Sequence, residues 1–369
     1  MSSGDEPLLL GPGPSPVAVR VLEAAARPLV GHLDPRFLAE MDEVRSMLRE
    51  LCETGNPFTL PISGTGSAGM EAAVANLVEE GDSCVIGVNG VFGGRIAELV
   101  RRHGGEPLLV EVPFGEAIPQ ERLIEVARDR QARLLAVVHA ETSTGVLQPI
   151  DRLASGLEGL DCLLLVDAVT SLGGVPVRVD AWGIDALYSG TQKCLSAPPG
   201  LAPLTVSDRA FKRVRSRRAP PHSWYLDLQL LAGYWDEGGA RAYHHTAPVA
   251  AIRSLAEALR VLQEEPAAER HERHLRTARH LWAGLAELGF ELLVEESVRT
   301  PMLTSVLVPD GVDEAALRRS LLADHGIEVG GGLGPLKGRV FRVGLMGHGA
   351  REANVDRLLE ALASFLRSR

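Results

Sequence analysis

The sequence predicts an α/β protein: a large domain on a mainly parallel, seven-stranded sheet, then a smaller α+β domain. Three observations carry this prediction. From residue 59, short apolar runs alternate with amphipathic stretches, the rhythm of strand–helix–strand units. The runs are nearly continuous rather than alternating with polar residues, as in strands covered on both faces. After about residue 248 the rhythm gives way to two long helical segments followed by short strands. At 369 residues and 45% apolar, the chain can bury a large core and should form about two domains.

In chain order, Leu8-Leu-Leu-Gly-Pro-Gly-Pro-Ser-Pro16 reads as an extended, proline-stiffened arm. Phe37, Met41, Val44, Leu48 and Leu51 recur at helical spacing behind Asp34 and Pro35, a plausible N-cap and first helical residue. Strands are expected at Thr59–Ile62, Ser83–Val88, Pro107–Val112, Leu134–His139, Cys162–Val166, Asp185–Ser189 and Ala202–Val206. Helices Gly93–His103, Gln120–Arg130 and Asp151–Glu158 fall between them. Helices Val249–Gln263 and Ala267–Leu288 then lead to strands near Phe290–Val294 and Thr304–Val308 and to helix Asp313–Asp324. Strands Ile327–Val329 and Val340–Val343 and helix Arg351–Leu366 close the chain. The expected division is an arm over 1–16, a large domain over 17–248 and a small domain over 249–369.

A net charge of −10 argues against nucleic acid as a partner. The one basic run, Arg209 to Arg218 with six cations, reads as a solvated helix and loop. Cys52, Cys84, Cys162 and Cys194 form no C-x-x-C pair, which suits free thiols in a reducing compartment and not a zinc site. The first ten residues lack the basic region of a signal peptide. No apolar run approaches the ~20 residues of a membrane helix. The expectation is a cytoplasmic protein with no membrane partner.

The chain holds 35 arginines and only three lysines, Lys193, Lys212 and Lys337. Where arginine fills nearly every cationic position, a lysine that remains points to its amine. An amine forms a Schiff base with a carbonyl; a guanidinium does not. Lys193 follows the apolar stretch Ile184 to Tyr188, and Asp167 ends the apolar run Cys162 to Val166. Gly64-Thr-Gly-Ser-Ala-Gly69, between a strand and a helix, fits G-x-G-x-x-G. The dinucleotide version needs an acidic residue at the tip of the next strand. Here that strand ends Gly-Val-Asn-Gly, so a dinucleotide-dependent oxidoreductase is the weaker alternative. The simpler physics holds in either case: a helix N-terminus behind small residues favours an anion such as one phosphate.

Pyridoxal phosphate (PLP) needs a lysine, a carboxylate on its ring nitrogen, a phosphate cup and an aromatic against the ring. Lys193, Asp167, the turn through Thr65, Gly66 and Ser67, and Phe92 supply these types at successive strand ends, where open α/β sheets bind ligands. Singly, each has a commonplace structural reading: a helix-capping aspartate, a solvated lysine, a core phenylalanine. Their coincidence carries the weight.

The chain resembles the class V aminotransferases of PLP fold type I, on the alanine–glyoxylate/serine–pyruvate branch. The matching segments, in order, are Leu8 to Pro14, Ser63 to Ser67, Glu141 to Pro149, Leu165 to Gly174, Ser189 to Lys193, Tyr243 to Thr246 and Phe341 to Gly344. The resemblance implies that Lys193 carries the cofactor, that Asp167 faces its ring nitrogen, and that Thr65, Gly66, Ser67 and Gln192 hold its phosphate. It places Thr142 near the cofactor's phenolic oxygen and the substrate. It also implies a homodimer in which Tyr243 and Thr246 reach the neighbouring active site. Arg342 would clamp the substrate carboxylate, and the Gly11 backbone would close the site. Apart from that implication, His244 and His245 read as structural, because adjacent side chains seldom converge on a metal. Two departures from the branch are Phe92 where tryptophan is usual and Ser67 where histidine is usual.

The implied activity moves an amino group from a small amino acid, alanine or serine, to a small 2-oxo acid such as glyoxylate. Other donors open within the family are 2-aminoethylphosphonate, ureidoglycine and hydroxykynurenine. Cysteine desulfurase chemistry needs a cysteine well after the lysine, and none follows Cys194. A catalytically idle PLP-binding regulator is a further alternative, but no DNA-binding module accompanies the domain.

Overall fold

The computed structural model describes residues 6–235 and 241–367. Residues 1–5 of the expected arm, 236–240 and 368–369 lie outside them. Seven strands form the main sheet, in the spatial order Phe58–Ser63, Leu201–Val206, Ala186–Tyr188, Leu163–Asp167, Leu134–Val138, Ser83–Val88, Glu106–Glu111. Leu201–Val206 runs against both of its neighbours, and every other pairing is parallel. Each strand starts and stops within one residue of its expected limits. The apolar runs were legible because Leu134–Val138, Leu163–Asp167 and Leu201–Val206 are buried along their whole length.

The first long helix is Pro35–Leu51. The Asp34 carboxylate accepts from the Arg36 N–H at 2.9 Å, and Pro35, which has no N–H to satisfy, opens the first turn. Phe37, Met41, Val44 and Leu48 are fully buried on one face. The basic run forms helix Asp208–Arg215, in which Arg209 pairs with Asp185 and Arg213 with Asp161. Both cations are therefore neutralised locally.

A second sheet joins Leu303–Leu307, Val340–Gly344 and Gly330–Gly331, all antiparallel. Helices Ala267–Glu287, Glu314–His325 and Glu352–Arg367 contribute Leu281, Leu285, Leu317, Leu321, Leu358 and Leu362 to its core. Three expectations differ from what is seen, the first being helix Asp151–Glu158, which shrinks to the single turn Leu153–Gly156. Phe290–Val294 forms no strand; Leu292 makes an isolated bridge to Val306, and Phe290 packs edge-on against Phe341. Helix Val249–Gln263, expected in the small domain, puts Ile252, Leu255, Leu259 and Leu262 into the core of the large sheet. Its apolar stripe faces helices Val19–Ala25 and Pro35–Leu51, so the chain changes cores near Glu264–Pro266 and not at residue 248.

The arm does not stay with its sequence neighbours. Leu8–Leu9 pairs in parallel with Ile327–Glu328, and Leu10 is fully buried in the second core. The Leu10 N–H donates to the Glu328 carbonyl, and its own carbonyl accepts from the Gly344 N–H.

Candidate active site

Five connections after strands of the main sheet meet at one cavity of about 220 Å³. After Phe58–Ser63 comes the turn through Thr65, Gly66 and Ser67, which opens helix Gly66–Leu77. After Ser83–Val88 comes Phe92, in the first turn of helix Val91–Arg102. Thr142 follows Leu134–Val138, Asp167 ends Leu163–Asp167, and Gln192 and Lys193 follow Ala186–Tyr188. All eight of these residues line the cavity. This is the carboxyl-end crevice where open α/β sheets bind ligands.

Asp167 is buried, yet no cation pairs with it among the described residues. Its carboxylate accepts from the Val169 N–H at 2.8 Å and from the Tyr188 hydroxyl at 2.7 Å. Burial pushes its pKa up to about 6 against those two donors. Burial, reinforced by Arg342, brings the Lys193 amine down to about 8. The arm crosses directly over this lysine: Nζ donates to the Pro12 carbonyl, and the Ser15 hydroxyl donates to the Lys193 carbonyl at 2.6 Å. Gly13, at φ +109°, passes so close that a Cβ there would lie 2.7 Å from Nζ.

Arg342 lies outside the cavity wall but is tied to it. Its Nη1 donates to the Thr142 carbonyl at 2.7 Å and its Nε to the Gly331 carbonyl at 2.7 Å. Burial lowers its pKa to about 10, so it remains a cation at neutral pH. Gly11 lies against Val329 and Gly330, on the same side as Arg342. Tyr243 and Thr246 are not brought to this cavity. Tyr243 is 61% exposed, with its hydroxyl 3.4 Å from that of Thr246. His244 stacks on Trp224 at 4.2 Å, and His245 bonds to Ser63 at 2.8 Å and to His244 at 2.8 Å.

Sequence reasoning missed Tyr188, Arg95 and the Glu141 carboxylate. Tyr188 carried a signal, because a tyrosine inside an apolar strand needs a partner for its hydroxyl. Arg95 lines the cavity, with its guanidinium 4.9 Å from the centre of the Phe92 ring.

The residues fit PLP. Gln192 Oε1 is buried without a hydrogen-bond partner in the cavity wall; with the amide turned over, its NH2 group takes that place as a donor suited to a phosphate oxygen. Thr65 makes no side-chain bond to the helix it precedes, which leaves its hydroxyl for an anion at that positive helix end. Asp167 is a desolvated acid suited to a protonated ring nitrogen, and Lys193 is an amine with a lowered pKa beside it.

Comparisons with known proteins agree with this geometry. The family model described as "Aminotransferase class-V" matches residues 20–358. The chain is 41% identical to alanine–glyoxylate aminotransferase of Oryctolagus cuniculus over 361 residues, covering 97% of this chain and 92% of the relative. It is 36% identical to (S)-ureidoglycine–glyoxylate transaminase of Bacillus subtilis, covering 97% of this chain and 90% of that protein. The crystal structure of alanine–glyoxylate aminotransferase from Nostoc sp. superposes with a TM-score of 0.96 at 48% identity, covering 98% of this chain and 95% of that one. The chain belongs to the class V aminotransferases, PLP-dependent enzymes of fold type I.

Proposed function

We propose that this enzyme transfers the amino group of a small amino acid, alanine or serine, to glyoxylate or a similar small 2-oxo acid. The observation that carries the reading is that Lys193 and Asp167 open into one cavity together with the Thr65–Ser67 turn, while Arg342 is tied to its wall through Thr142. The acceptor is better supported than the donor. Glyoxylate stands in the names of relatives that differ in donor, alanine in one and ureidoglycine in the other.

Bound PLP supplies an electron sink for the bond broken at the substrate Cα. Thr65, Gly66, Ser67 and Gln192 would hold its phosphate, Phe92 would support its ring, and Thr142 would serve its phenolic oxygen. Asp167 keeps the ring nitrogen protonated. Lys193 would hold the cofactor and would move the proton at the substrate Cα, a task its lowered pKa suits. Arg342 takes the substrate carboxylate bidentately, with the Gly11 backbone closing over it.

The working unit in this reading is a homodimer in which Tyr243 and Thr246 reach the neighbouring subunit's phosphate site; their exposure on this subunit supports that. The setting is cytoplasmic. Four buried cysteines, none in a disulfide, are consistent with a reducing compartment. Among the described residues no helix is long and apolar enough to cross a membrane.

The purified protein should be yellow, and Lys193→Ala should abolish the borohydride-fixable cofactor. Mixing the holoenzyme with single amino acids should bleach the bound chromophore fastest with alanine or serine. Failure of every amino donor to do so overturns transamination, and purification with a bound nicotinamide cofactor in place of PLP would favour an oxidoreductase.

A further inference from the structure

The turn Glu141–Gly145 joins two short antiparallel strands, Ala140–Glu141 and Val146–Leu147. Glu141 is fully buried, yet its carboxylate has no cation bonded to it among the described residues. Four donors converge on it instead. Oε2 accepts from the N–H of Phe92 at 3.1 Å and of Gly93 at 3.4 Å. Oε1 accepts from the Ser143 N–H at 3.0 Å and from its hydroxyl at 2.6 Å. The Ser143 hydroxyl in turn accepts from the Val91 N–H at 2.9 Å.

The first three N–H groups of helix Val91–Arg102 therefore all end on residues 141 and 143. The helix has no cap of its own: its N-cap is Gly90, and a Cβ there would overlap the Glu141 side chain. Burial pushes the Glu141 pKa up, while all four donors act the other way. A helix N-terminus also favours the anion.

Thr142, the next residue, lines the cavity and holds Arg342 through its carbonyl. The same turn thus anchors both the helix that bears Phe92 and the guanidinium proposed to take the substrate carboxylate. The Glu141 charge favours the cationic forms of Lys193 and Arg342 and disfavours the anions of Asp167 and Tyr188.

We propose that Glu141 is a positioning residue for this enzyme: its buried carboxylate clamps the Phe92 helix to the turn that holds Arg342, and supplies the negative charge that balances Lys193 and Arg342. The inference rests on the aminotransferase reading, because it assigns Phe92 to the cofactor ring and Arg342 to the substrate.

The test compares Glu141→Gln and Ser143→Ala with the wild-type holoenzyme and its cofactor-stripped form. A carboxamide nitrogen cannot accept, so Glu141→Gln removes the charge and forfeits part of the clamp at nearly constant volume. Three changes are expected in it: KM for the amino donor up about tenfold, the visible circular dichroism of bound cofactor down by about half, and the pH midpoint of cofactor uptake by the stripped protein down by about half a unit. The midpoint falls because Lys193 loses a neighbouring anion, an effect that a space-filling role would not produce. Ser143→Ala keeps the charge, so its dichroism should weaken while its midpoint stays put.

Wild-type midpoint, KM and dichroism in Glu141→Gln overturn the proposal. Should that variant not fold, wild-type dichroism and KM in Ser143→Ala do the same. If the wild-type enzyme takes no amino donor, the functional reading fails, while the midpoint and dichroism still decide whether the clamp exists.

Discussion

Lys193 has to present a free amine and Asp167 an anion, and the protein shifts both groups toward neutral pH. The amine sits near 8 instead of its usual 10.5 and the carboxyl near 6 instead of 3.8, both chiefly through burial. Only the unprotonated amine attacks a carbonyl. Uptake of PLP by the stripped protein should therefore accelerate about tenfold from pH 7 to pH 9 and then level off. Stopped-flow absorbance measures it; a rate still climbing toward pH 10.5 would mean an ordinary lysine. Below pH 6, protonation of Asp167 should weaken retention of the ring. These two residues were legible because lysine is scarce here and both follow apolar runs. Glu141 was not, because its donors at Phe92 and Gly93 lie 49 and 48 positions away, and no local pattern records that meeting.

Among the elements, helix Ala267–Glu287 is fastened to the loop after Val340–Gly344 by a fully buried histidine, His274. Its Nδ1 lies 2.7 Å from the Arg270 carbonyl, which only accepts, so Nδ1 carries the proton and Nε2 accepts from the Gly347 N–H at 3.0 Å. Burial lowers its pKa to about 4. Between pH 6.5 and 4 the unfolded chain binds the extra proton, so this contribution to stability is present above 6.5 and is lost as pH falls toward 4. The loss is of order 3 kcal/mol. Urea unfolding across that range should show it, and His274→Gln should flatten the slope. The main sheet was legible because six of its seven strands are buried along all or nearly all of their length, whereas only Val110 of the edge strand Glu106–Glu111 is buried. Helices Val19–Ala25 and Leu228–Tyr234 were not, because seven residues barely establish a helical period. Helix Val249–Gln263 shows another limit: periodicity marks an apolar face without saying which core receives it.

On the scale of the whole molecule, the proposed dimer makes each active site a joint product of two chains. A Lys193→Ala chain lacks the cofactor amine but still offers its own Tyr243 and Thr246. A chain with Tyr243→Ala and Thr246→Ala has the reverse defect. Refolding the two together should restore activity to one site of each mixed pair, about half of wild-type turnover per mixed dimer. Activity no higher than the sum of the separate variants would mean that each subunit works alone. Pairing of Leu8–Leu9 with Ile327–Glu328 has a consequence for biosynthesis. That segment must wait for partners translated much later, and closing so long a loop is entropically unfavourable until the second core has formed. Because the same arm roofs Lys193 through Pro12, a nascent chain holding every residue of the seven-stranded sheet still cannot complete its reactive centre until Ile327–Glu328 has been translated.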